Sequence, residues 1–125
     1  MNPQRKFIIT FGIICMLLGS LVFVGRDVMG IMVDLLQGFV YIASGLFAFA
    51  AVMQGVSATR RYSLLAGLVY SAISILGLFN HHSVLSLFRV NNAENFIHLF
   101  FALFLLFISV AEQQLARWMA PARRV

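Results

Sequence analysis

Four long apolar stretches, residues 7–24, 35–53, 62–79 and 96–111, alternate with short polar segments along the 125-residue chain. Each stretch is 16 to 19 residues long, close to the ~20 needed to cross ~30 Å of hydrocarbon as a helix rising 1.5 Å per residue. Inside lipid, backbone N–H and C=O groups must pair within the segment, and the ten-residue alternating pattern of a membrane β-barrel is absent from the sequence. The stretches therefore read as helices. With interfacial ends added, spans over about 7–24, 33–54, 62–79 and 94–116 are expected, in a single membrane domain covering 1–125. The predicted fold class is all-α integral membrane, a four-transmembrane-helix antiparallel bundle.

The polar segments carry the punctuation. Residues 25–34 hold Arg26, Asp27 and two glycines before Asp34, which stands where it can cap the positive N-terminal end of the second helix. Residues 54–61 place Gly55, Ser57 and Thr59 ahead of Arg60 and Arg61, as in a tight turn between antiparallel helices. In the longest connector, 80–95, Val84, Leu85, Leu87 and Phe88 fall at helical spacing and predict a short interfacial helix. One pattern repeats: Asp34-Leu-Leu-Gln37 opens the second helix and Asn95-Phe-Ile-His98 the fourth, each placing two polar groups on one helical face. Each of these helices follows a span with two glycines, which fits two duplicated helical hairpins.

Composition narrows the class further. A hydrophobic fraction of 62%, charged residues at 10% and a mean hydropathy of +0.95 are outside the range of a soluble domain. Arg5 and Lys6 before an apolar run resemble a secretory signal, but no Ala-x-Ala-like site follows Val24, so the first helix is expected to be retained. The net charge of +5 is dispersed among helix ends and not gathered with aromatics on one surface, which argues against nucleic acid. Arg5, Lys6, Arg60, Arg61, Arg117, Arg123 and Arg124 fall on one side of the expected topology, against Arg26 and Arg89 on the other. The positive-inside rule then puts both termini in the cytoplasm of a bacterial inner (plasma) membrane. Arg60, Arg61, Arg117 and Trp118 suit the headgroup region as interface anchors. Cys15 is the single cysteine, lies within the first span and reads as a packing residue.

Small residues recur at helix-packing intervals: Gly12 and Gly19, Gly38 and Gly45, then Gly67, Ser71 and Ser74. In lipid such stripes let backbones approach closely. The candidate chemistry lies elsewhere. His98 falls about one turn inside the fourth span, where ionisable groups are costly, and Glu94 precedes it on the same face as a proton-responsive partner. Gln37 occupies the corresponding place in the second helix and is expected to answer His98 across the bundle. The candidate polar cluster is therefore Asp34, Gln37, Glu94, Asn95 and His98, with Tyr41 and Tyr70 read as bundle residues.

His81 and His82 could join Glu94 and His98 around a zinc ion, but adjacent histidines in a connector rarely point at one ion, so no metal or cofactor is expected. A four-helix thiol oxidoreductase needs paired cysteines, and a bis-histidine haem protein needs two histidines facing each other in the bilayer. Small multidrug exporters share the span count but rely on an acidic residue in the first helix, where this chain has none. No nucleophile, base and orienting partner can be assembled from these spacings, so the chain is not expected to be an enzyme.

At Asn95-Phe-Ile-His98, followed by Leu99 and Ala102, the chain resembles a bacterial group of four-helix membrane proteins, the domain-of-unknown-function 4383 family. Those proteins tend to show Asn-x-x-His helix starts followed by a glycine. Here Ala102 replaces that glycine, and Asp34 and Gln37 stand where an earlier Asn and His would be. The resemblance implies a four-helix membrane fold and no particular activity; the small acid-resistance membrane proteins of enteric bacteria are similar in layout alone. The expectation is a non-enzymatic small multi-pass protein, a structural or accessory subunit that self-associates as a homo-oligomer or packs in a larger membrane complex. The alternative is a small transporter, channel or pH-responsive subunit whose outer-side polar cluster lines a vestibule.

Overall fold

The computed structural model describes residues 2–24, 34–79, 83–84, 88–89 and 92–119. These form four α-helices, α1 (Pro3–Val24), α2 (Leu35–Gln54), α3 (Val56–Phe79) and α4 (Asn92–Met119), and two short strands, β1 (Ser83–Val84) and β2 (Phe88–Arg89). Each helix is long and apolar enough to cross a membrane, α4 over Asn92–Ala111.

Local chemistry sets the ends. Pro3 opens α1, where its missing N–H costs nothing, and Asn2 Oδ1 accepts the Gln4 N–H at 2.8 Å as a cap. Asp34 takes the cap position of α2 with extended backbone, and its carbonyl accepts the Gly38 N–H at 2.8 Å. Its side chain makes no capping hydrogen bond, contrary to expectation. The turn expected over 54–61 contracts to Gly55, whose φ of +116° separates α2 from α3 at a single residue. The Thr59 hydroxyl donates to the carbonyls of Gly55 at 2.8 Å and Ala51 at 3.3 Å, so Ser57 to Arg61 belong to the first turns of α3.

The interfacial helix expected in the third connector is not formed at its described residues. β1 and β2 pair antiparallel there, Ser83 opposite Arg89 and Val84 opposite Phe88. A helix so short cannot offset its nucleation cost, whereas a hairpin pairs backbone groups at once.

Helix α1 packs chiefly on α2, and α3 on α4; α2 meets α3 along a smaller contact. In the first pair the glycines touch one another's helices. Gly45 lies over the Gly12 carbonyl and Met16, and Gly19 over the Gly38 carbonyl and Ile42. In the second pair Gly67 meets Leu106, Ser63 Oγ donates to the Leu105 carbonyl at 2.7 Å, and Ser74 Oγ to the Asn95 carbonyl at 3.3 Å. Ser71 instead donates to the Gly67 carbonyl of its own helix, so its hydroxyl does not bridge. Large apolar side chains such as Leu17, Phe47, Leu65 and Phe107 face outward on all four helices.

Candidate functional site: a buried polar centre

Polar residues gather where α2 and α4 begin. Gln37 and Tyr41, four apart on α2, turn one face inward, as do Glu94, Asn95 and His98 on α4. Gln37, Tyr41 and His98 are each 1% exposed, and Glu94 and Asn95 2%. The Tyr41 hydroxyl lies 2.6 Å from His98 Nε2 and accepts from Gln37 Nε2 at 3.5 Å. The His98 ring packs beside the Tyr41–Tyr70 pair, 5.7 Å from each ring centre, while the two tyrosine rings stack on each other at 6.5 Å. Among the described residues, His98 Nδ1, Gln37 Oε1 and both side-chain amide atoms of Asn95 are buried without a hydrogen-bond partner.

A second group of hydroxyls lies further along the bundle. The Tyr70 hydroxyl donates to Ser44 Oγ at 2.9 Å, which donates to the Val40 carbonyl at 2.8 Å; Tyr62 donates to the Ser44 carbonyl at 2.6 Å. Cys15 Sγ is 3.8 Å from the Tyr70 hydroxyl. Beyond them Phe11 meets the edges of Phe101 and Tyr70 at 5.0 and 5.8 Å, and Ala48, Ala102 and Leu105 are fully buried, with Ser63, Thr59 and Gln4 as buried polar side chains among the apolar ones. The polar centre is therefore closed towards the opposite end. There Arg5 reaches across from α1, its Nη2 donating to the Val52 carbonyl at 2.8 Å, which sets a cation against the negative end of α2.

Of the five cluster residues, the structure buries Gln37, Glu94, Asn95 and His98 and leaves Asp34 exposed at its helix cap. Gln37 does not answer His98 directly, because Tyr41 stands between them. The sequence reads Tyr41 as a bundle residue and leaves it out of the polar cluster; its spacing of four from Gln37 is the signal that would have joined them. His81 and His82 lie outside the described residues. Among the described residues no group of three or more His, Cys, Asp or Glu side chains is placed to hold a metal ion. Of the anchors, Arg61 and Arg117 are exposed and Arg60 half-buried, while the Trp118 side chain lies outside the described residues.

Fold and site together define an all-helical four-helix bundle with four candidate membrane spans and an enclosed polar centre. Comparison with protein-family models, with curated proteins and with solved structures finds no match.

Proposed function

We propose that the chain is a non-enzymatic multi-pass protein of the bacterial inner membrane, an accessory subunit that associates with itself or with a larger membrane complex. One observation carries this reading: all four helices turn large apolar side chains outward and gather their polar ones inside, a surface that only lipid or other membrane helices can cover. The contacts support an antiparallel bundle of two hairpins, since Gly12 pairs with Gly45 and Gly19 with Gly38, and Ser63 with Leu105 and Ser74 with Asn95. The arginine bias supports cytoplasmic termini. The glycine stripes face one another inside the chain, so a partner would be met by the outer phenylalanine and leucine faces. Membership of the domain-of-unknown-function 4383 group is part of this proposal. Crosslinking in native membranes should capture a second copy or a larger partner; finding only monomer would overturn the accessory role.

The polar centre favours a second reading, a small pH-responsive subunit or transporter built on His98. Buried ionisable groups at membrane depth are expensive and tend to be functional. The rings of Phe11 and Phe101 packed beyond Tyr70 favour a responsive site over an open channel. Proteoliposomes should show a proton or cation flux that His98→Ala removes, and equal background flux in both would end this reading.

A further inference from the structure

The two helix pairs do not close on each other along their whole length. Helices α1 and α4 make little close backbone approach and are joined instead by aromatic rings, Phe7 edge-on to Phe104 at 5.3 Å and Phe11 to Phe101 at 5.0 Å. Towards the end where α1 finishes and α4 begins, this seam opens into a cleft of about 380 Å³, lined by Ile14 and Leu18 from α1 and by Phe96, Ile97, Phe100 and Phe101 from α4. The spacing of four within Ile14/Leu18, Phe96/Phe100 and Ile97/Phe101 keeps each wall on one helical face. Phe101 is buried and forms the floor, Leu18 and Ile97 are half-buried, and Ile14, Phe96 and Phe100 are exposed at the mouth. Phe100 also stacks on Phe104 at 5.9 Å, so the cleft runs directly into the ring seam.

The lining selects the occupant. All six side chains are apolar, so water, which needs several polar partners, has none there. An empty cleft would forfeit the dispersion contacts of its walls. A helix from a second copy is too thick, because one turn, ~10 Å across and 5.4 Å long, takes up about 400 Å³. Six lining residues also fall well short of the roughly 20–30 a side that a stable protein interface uses. A linear hydrocarbon does fit: with a methylene group taken as about the size of a water molecule, ~30 Å³, the cleft holds on the order of a dozen. Both walls belong to candidate membrane spans, which puts phospholipid chains within reach of the mouth.

We propose that the cleft between α1 and α4 is a lipid-binding groove that holds one acyl chain of a membrane phospholipid. The chain continues the seam that the phenylalanines begin and fills the joint between the helix pairs. In lipid there is little hydrophobic drive for association, so retention comes from close packing against both walls and the floor, which a chain lying on a single helix face lacks. Phe101 meets Tyr70 edge-on at 5.7 Å, and the Tyr70 ring centre is 5.7 Å from that of His98, so two ring contacts link the groove floor to the polar centre. The inference rests on the membrane reading of the chain and not on the pH-responsive one.

The test places the full chain in bilayers of a phospholipid that carries a photoreactive diazirine midway along one acyl chain, and maps the labelled residues by mass spectrometry. Leu18, Ile97 and Phe101 should be labelled severalfold more than the outward-facing Phe47, Leu65 and Phe107, although all three are more buried. Leu18→Trp, which fills the cleft, should remove the label from Phe101 and leave that on Phe47 and Leu65 unchanged. Labelling that follows exposure alone in the unsubstituted chain would overturn the groove and leave the membrane reading standing, while label on none of these residues would overturn both. Efficient disulfide capture between two copies carrying Phe96→Cys would put a second copy over the cleft and overturn the lipid as its occupant.

Discussion

The tight crossing of α1 and α2 makes a graded prediction. A Cβ built on Gly45 would stand 2.8 Å from the Gly12 carbonyl oxygen and 2.8 Å from Met16 Cγ; one on Gly19 would stand 2.5 Å from Ile42 Cγ1 and 2.9 Å from the Gly38 carbonyl oxygen. Backbone oxygens cannot turn aside, so alanine at either site should push the helices apart at about 1–3 kcal/mol of overpacking. A Cβ on Gly38 meets Val22 Cβ at 3.2 Å and the Gly19 carbonyl at 3.4 Å, which a shift of a few tenths of an ångström in Val22 would relieve. Every Gly→Ala change within a helix also gains about 1 kcal/mol of propensity. Gly19→Ala and Gly45→Ala should therefore lose about 0–2 kcal/mol net, while Gly38→Ala should be neutral or gain up to about 1 kcal/mol.

The separation between the classes is up to about 3 kcal/mol, a factor of up to roughly a hundred in the unfolding constant. Reversible unfolding in mixed micelles of rising SDS content would read it, followed by energy transfer between dyes at exposed positions of α1 and α2. If Gly38→Ala lost as much as Gly45→Ala, the close approach would not lie where these contacts place it.

Three further outcomes use the same assay. Gly55→Ala should lose about 1–3 kcal/mol through backbone strain alone, since its φ is +116° with ψ −173° and no atom lies within 4 Å of an added Cβ; an unchanged midpoint would refute the single-residue turn. Tyr41→Phe and His98→Phe should show a coupling of about 0.6–2 kcal/mol in a double-mutant cycle, and zero coupling would remove the Tyr41–His98 bond. Arg5→Met should lose about 0.3–1 kcal/mol through the Val52 carbonyl at the end of α2, while Lys6→Met, with the same change of charge, should lose less; equal losses would point to net charge instead.

The helices were legible because a helix long and apolar enough to cross a membrane needs unbroken apolar length, and four such lengths are plain in the chain. The start of α3 was not, because Ser57, Thr59 and the arginine pair look like connector, while Gly55 can make the turn alone. The short apolar spacing in 84–88 could not separate helix from strand over so few residues. The glycine stripes announced close approach without saying whose backbone approaches. The equal spacing of seven in Gly12/Gly19 and Gly38/Gly45 was compatible with pairing inside the chain or between chains. Tyr41 reads as a bundle residue and not as part of the polar cluster because a tyrosine ring satisfies the pattern of an apolar core position and hides its hydroxyl.

The hydrogen bonds divide the bundle in a way that bears on how it could respond. Between α1 and α2 the crossing is made by glycines and van der Waals contact. Between the two pairs the side-chain bonds come largely from tyrosines: Tyr41 to His98, Tyr70 to Ser44 and Tyr62 to the Ser44 carbonyl. Along α1 and α4 aromatic rings join the pairs, Phe7 edge-on to Phe104 at 5.3 Å and Phe11 to Phe101 at 5.0 Å. Interhelical bonds in membranes contribute only about 0.6 kcal/mol each on average, so the joint between the pairs is held by a few weak, directional contacts while each pair is held by close packing. His98 sits in that joint. A proton added to the imidazole would leave both ring nitrogens as donors, so the Tyr41 hydroxyl would accept from His98 Nε2 and its own hydrogen would need another acceptor. That bond lies between the helix pairs, so a change at His98 acts on the joint between them, while the glycine-set crossing of α1 and α2 lies outside it.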